Sequence, residues 1–102
     1  MAITNTTLTT SAAALIDVAG EKAITVIYLY NSSTGSVSID LHAVVDGDTA
    51  TEGNKFYGNL IIEATDTYVV DTEKLLLSDG DDIFASANVG GVVHATVSYA
   101  TL

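Results

Sequence analysis

Two short runs of the chain gather carboxylates around glycine: Asp46-Gly47-Asp48 with Glu52 close behind, and Asp79-Gly80-Asp81-Asp82. Clustered carboxylates on a Gly-shaped backbone are the donors that a hard cation such as Ca²⁺ prefers. The spacing does not match an EF-hand loop, however, and Asp with Gly is also what tight solvated turns require. The turn reading is the simpler one, and neither run is assigned a metal. The two histidines, His42 and His94, each fall on the polar parity of an alternating segment. On neighbouring strands they could meet across a sheet face and form a transition-metal or pH-sensitive site. No further ligands can be named beside them, so ordinary half-exposed sheet histidines are expected.

Nucleophilic chemistry finds less support. Serines are present, but there is no Gly-x-Ser-x-Gly elbow and no Cys nucleophile. With 13 acids in the chain, any pair of carboxylates can be drawn at will and points nowhere. Gly90-Gly91 lacks the Lys-Ser/Thr and the helix that make a phosphate-cradling loop. No catalytic residue, cofactor or metal is expected, and the chain reads as a non-enzymatic module.

The elements that would position these residues are strands. Residues 36–45 alternate strictly, with Val37, Ile39, Leu41, Ala43 and Val45 on one side and Ser36, Ser38, Asp40 and His42 on the other, the pattern of a half-buried strand. Residues 23–31 are apolar on both parities, with Ile24, Val26, Tyr28 and Tyr30 against Ile27 and Leu29. Such a strand is central or sits at an interface. The turn cluster at 31–35 predicts that 22–45 folds as a hairpin at the heart of the core. Residues 83–88 and 92–100 are expected to form a closing pair around Gly90-Gly91, and 55–62 and 65–71 two further strands. A helical turn is expected near 71–74. Residues 1–10 read as an edge strand or arm, continued by a second alternating run to Val18.

Strands separated by turns at about ten-residue spacing, with no helix of length, predict an all-β fold. The expectation is one domain spanning 1–102, an antiparallel two-sheet β-sandwich, Ig-like or jelly-roll, of seven to eight short strands. At 102 residues the chain builds a single modest core, so partner subunits would add stability. It has no Cys, hence no disulfide or Cys-ligated metal. The N-terminus shows neither a basic region nor an apolar run, which predicts no conventional secretory signal. Residues 83–102 carry no formal charge, but Ser86, Asn88, the Gly pair, His94, Thr96 and Ser98 fit two strands rather than a membrane span.

The formal net charge of −10 repels phosphate backbones and anionic membrane surfaces, so neither nucleic acid nor membrane is expected as a partner. The charge is also uneven. Residues 1–16 and 83–102 carry none of it. Charge-depleted β surface ends up buried, in the core or against another subunit. Five tyrosines against two phenylalanines point to rings whose tips reach water or a partner. The candidate partner-contact residues are Ile3, Leu8, Tyr28, Tyr30, Tyr57 and Tyr99.

Several segments resemble a family of roughly 100-residue structural proteins of tailed bacteriophages: Thr6-Thr7-Leu8-Thr9-Thr10-Ser11-Ala12, Ile27-Tyr28-Leu29-Tyr30-Asn31, Ala64-Thr65-Asp66-Thr67-Tyr68, Asp71-Thr72-Glu73-Lys74-Leu75 and Ala95-Thr96-Val97-Ser98-Tyr99. The resemblance implies a virion component on the particle exterior. Foremost is a capsid decoration (cement) protein, homo-oligomeric and bound to the major capsid protein or other virion proteins. The alternative it leaves open is a tail- or fibre-associated module that binds a receptor or carbohydrate through Tyr57 and the 46–54 loop.

Overall fold

The structure is a computed structural model that describes residues 2–16, 19–71 and 75–102. Val18 and most of the turn expected at 71–74 lie outside the described residues. Nine strands are seen among the described residues: β1 (Ala2–Thr7), β2 (Ala13–Ala14), β3 (Lys22–Asn31), β4 (Val37–Val44), β5 (Lys55–Ile62), β6 (Thr67–Val70), β7 (Leu75–Leu77), β8 (Asp82–Ala87) and β9 (Val93–Thr101). A 3-10 turn, Glu52–Asn54, precedes β5. Among the described residues no helix is long and apolar enough to cross a membrane.

The strands form two antiparallel sheets, β1-β9-β3-β6 with β7 also on β3, and β2-β8-β4-β5. Apart from β7, they pair from the outside in: β1 with β9, β2 with β8, β3 with β6, β4 with β5. Nested pairing folded over into two sheets is the jelly-roll topology, one of the two sandwich types that the strand spacing predicts.

Two expected hairpins are corrected by this topology. β3 and β4 lie in different sheets, and so do β8 and β9. The segments between them are corners that carry the chain across the sandwich. Alternation marks a strand but is silent about which sheet it joins. At the first corner Asn31 is fully buried and gives the geometry. Its Nδ2 donates to the carbonyls of Gly35, Ile62 and Glu63 at 2.8, 3.0 and 3.2 Å, while its Oδ1 accepts from the backbone and hydroxyl of Ser33. At the second, Gly91 adopts φ 83°, a conformation that favours glycine, and its N–H donates to Leu8.

β3 is central in its sheet, between β9 and β6, as its two-sided apolar pattern predicts, and a bulge adds to that pattern. Its register against β9 shifts between Ile24 and Val26, so Thr25 is an extra, bulged residue. The bulge switches parity. Ile24 faces the core before it, and Ile27, Leu29 and Asn31 face the core after it, leaving Tyr28 and Tyr30 outside.

The core between the sheets holds Leu29, Ile39, Leu41, Ile83 and Val93 with no exposed surface. Burying each such side chain contributes about 1.5–3 kcal/mol. At the flank where β5 and β6 meet, Phe56, Tyr57 and Tyr68 close the sandwich with edge-on ring contacts at 5.6 and 6.3 Å between centroids. The radius of gyration is 12.7 Å.

Candidate functional site

The register of the first sheet places its outward side chains in four rows. Thr7, His94, Tyr30 and Thr67 form one row, and Asn5, Thr96, Tyr28 and Val69 the next. Ile3, Ser98 and Val26 follow, then Ala100, Ala23 and Leu76. None of these is an acid or a lysine, in a chain of net charge −10. Ile3, Tyr28 and Tyr30 are 66%, 43% and 42% exposed, so large apolar surface is presented to solvent across the face. The first two rows run from β1 to β6, because β9 is regular and the bulge in β3 has already set the tyrosines outward.

The opposite sheet presents a different outer surface. Asp40 faces out on β4, and the Lys55 ammonium lies 3.6 Å from its carboxylate and 2.6 Å from Glu52. The hydrogen bond to Glu52, reinforced by the charge of Asp40, holds the Lys55 pKa above the ordinary lysine value. The outer face of the second sheet thus carries the paired charges of Asp40 and Lys55, whereas among the described residues the paired strand positions on the outer face of the first carry none.

The six candidate contact residues separate. Ile3, Tyr28 and Tyr30 come together on the uncharged face. Leu8 and Tyr99, at 1% and 7% exposure, belong to the core. Tyr57 faces inward from β5, partly buried in the aromatic cluster. Val69, Leu76 and Val26 were missed by sequence reading, since short segments around them gave no indication of which parity faces out. The signal available in the sequence is the absence of charge throughout 2–7 and 93–101, which marks these strands but not which parity faces out.

The two histidines lie in different sheets and do not meet. His42 is buried on β4 despite its polar parity, because the loop before β5 folds over it. Its Nδ1 lies 3.0 Å from the Thr51 carbonyl and 3.1 Å from Asn54 Oδ1. His94 sits on the uncharged face beside Tyr30, with Nδ1 3.0 Å from the Thr7 hydroxyl and Nε2 3.3 Å from Ser32 Oγ. Ser32 already donates its proton to the Val92 carbonyl at 2.9 Å, so towards His94 it accepts. That polarity is the reverse of what a general base would need to activate Ser32. The arrangement crosslinks β1, β9 and the corner after β3.

The acidic runs do meet each other. Asp81 accepts from the backbone N–H of Asp46 at 3.0 Å with Oδ1 and from Ser78 with Oδ2, and Asp79 accepts from Gly20 at 2.7 Å. Asp82 is buried and accepts from Ile16 and Ile83. These carboxylates bind backbone donors of neighbouring loops. Among the described residues no three acids or histidines converge on a point where they could hold a metal ion. No family model, curated protein or solved structure matches the chain.

Proposed function

We propose that this chain is a non-enzymatic structural subunit that attaches to other proteins through the outer face of the β1-β9-β3-β6 sheet. The observation that carries this reading is that, among the described residues, the paired strand positions of that face carry no formal charge in a chain of net charge −10. Interface centres are depleted of charge and enriched in tyrosine, whereas a face meant only for solvent on so acidic a chain has no reason to lack carboxylates across four strands. Within that class, the resemblance to structural proteins of tailed bacteriophages points to a virion component. The specific reading is a capsid decoration protein held on the particle exterior by the major capsid protein or a neighbouring virion protein. The acidic remainder suits an outward surface kept away from packaged nucleic acid.

The alternative, a tail or fibre module that grips a carbohydrate or receptor through Tyr57 and the 46–54 loop, has weaker support. The Tyr57 ring is engaged by Phe56 and Tyr68, and the loop packs onto His42 and the Asp79–Asp81 turn. The test is co-purification. Particles produced by cells carrying the gene should retain the wild-type chain through a density gradient and lose the Tyr28→Asp variant, which keeps its β spectrum. A chain that never enters particles, or a variant retained as well as wild type, contradicts the proposal.

A further inference from the structure

Four edges bound the two sheets, and three of them are guarded. β6 and β7 are 4 and 3 residues long, with Asp66 and Asp71 flanking β6. β2 has 2 residues. β5 has 8, but its register against β4 shifts twice, Asn59 takes φ 56°, and Lys55 brings a charge. Short strands, bulges and charges are the means by which sheets avoid pairing with other chains. β1 has none of them. It runs 6 residues without charge or proline, in unbroken register from Ala2 opposite Tyr99 to Thr7 opposite His94. Its alternate N–H and C=O groups point away from β9, and among the described residues no strand takes them up.

We infer that β1 is a pairing edge whose occupant is β1 of a second copy, antiparallel about a two-fold axis perpendicular to the sheet. One argument selects a second copy, and another, which depends on the attachment reading, favours it. The first is electrostatic. Residues 2–16 and 83–102, which build β1, β2, β9 and most of β8, carry no formal charge, so this flank is where two chains of net charge −10 approach with least repulsion. Self-pairing sets Thr, Asn and Ile against one another, with β-branched cross-strand contacts and no like charges opposed. The interface is isologous and closes at two copies.

The second argument is area. With strands about 4.8 Å apart and same-face residues about 6.8 Å apart, the uncharged face covers on the order of 450 Å². A stable interface takes roughly 800 Å² per partner. A perpendicular two-fold keeps both outer faces on the same side, so pairing merges them into one ten-strand surface of about 900 Å². This consequence rests on the attachment reading above, but the pairing itself does not.

The test uses the full chain free of any particle. Sedimentation velocity should show a dimer for wild type and for Tyr28→Asp. The double variant Asn5→Asp, Thr7→Glu should raise the dissociation constant roughly tenfold or more by opposing carboxylates across the axis. Both positions are exposed, and the carboxylate introduced in place of Asn5 can still accept from Thr96 as the native amide does at 2.8 Å, while Thr7→Glu gives up the hydroxyl contact with His94 Nδ1, so only a modest fall in the thermal midpoint is expected. In wild type, alternate amides of residues 2–7 should lose exchange protection on dilution, a readout that decides the matter even if the double variant fails to fold. A wild-type monomer at the highest soluble concentration, a dimer that survives the double variant, or β1 amides indifferent to dilution overturns the inference. A monomer that still enters particles would remove the pairing and leave the attachment reading standing.

Discussion

Ile24 and Ile27 lie three residues apart on one strand and both face the core, Ile24 opposite Tyr99 and Ile27 opposite Val97. Residues three apart on a regular strand face opposite sides. The bulge at Thr25 absorbs the difference, and everything that follows it is set by that one residue. Leu29 and Asn31 go inward, and Tyr28 and Tyr30 go outward onto the face assigned to attachment.

Deleting Thr25 should therefore straighten β3 without reversing it, because Lys22, Ile24, Ile27, Leu29 and Asn31 then alternate regularly. The expected cost is about 1–2 kcal/mol, part of it from the lost hydrogen bond to the Ser98 carbonyl. Deleting Tyr28 instead would put the remainder of the strand on the wrong parity and should abolish the cooperative transition. Urea denaturation of the two variants distinguishes these outcomes. Equal damage from both would mean that the bulge does not set the parity.

Asn31→Leu should destabilise the fold by about 3 kcal/mol, since it leaves buried carbonyls at the corner without a donor. That is a large part of the roughly 5–15 kcal/mol expected of such a domain. Asn31→Asp should be no milder, because a carboxylate would face the carbonyl oxygens of Gly35, Ile62 and Glu63. Chemical denaturation midpoints close to wild type for either variant would show that the corner is held by other contacts.

Gly80→Ala should cost about 1–2 kcal/mol, for two reasons. Gly80 has φ 92°, and an added Cβ would run into the Asp46 side chain. The second part is relieved by truncating Asp46. In a double-mutant cycle Asp46→Ala should therefore be less harmful, or even favourable, in the Gly80→Ala background. Strict additivity would mean that the added Cβ does not meet the Asp46 side chain.

Lys55 supplies a pH prediction. Its pKa is raised in the fold, so its contribution to stability is complete at neutral pH and is lost as the pH rises through the folded-state value, above the ordinary lysine range. Lys55→Met should flatten this alkaline decline, and added salt should shrink the difference between the two proteins. A decline unchanged by the substitution would locate it in other groups.

Much of the sandwich is legible in the chain itself. The alternation read over 36–45 marks β4, although Val45, expected inward, lies beyond the strand and is 56% exposed while Val44 is buried, and the uncharged 83–102 resolves into β8 and β9 with a glycine corner. Sheet membership is less accessible, because a five-residue turn cluster after Asn31 serves a hairpin or a crossover equally well. What decides is the burial of Asn31 against carbonyls from 35, 62 and 63, a long-range relation. The contact residues follow the same division. Ile3, Tyr28 and Tyr30 gather on one face. Leu8 and Tyr99 are drawn into the core because they fall on the side that faces the opposite sheet. His42 is covered by a loop that its own strand pattern says nothing about.

The central claim, attachment through the uncharged face, is tested most directly by site-specific photocrosslinking in assembled particles. A photoreactive phenylalanine analogue at Tyr28 samples that face, and the same analogue at the exposed Ile61 samples the β5 edge of the charged sheet. The expected result is an efficient crosslink from position 28 to a virion protein, identified by mass spectrometry, and little or none from position 61. Crosslinking from 61 with silence at 28 would contradict the account.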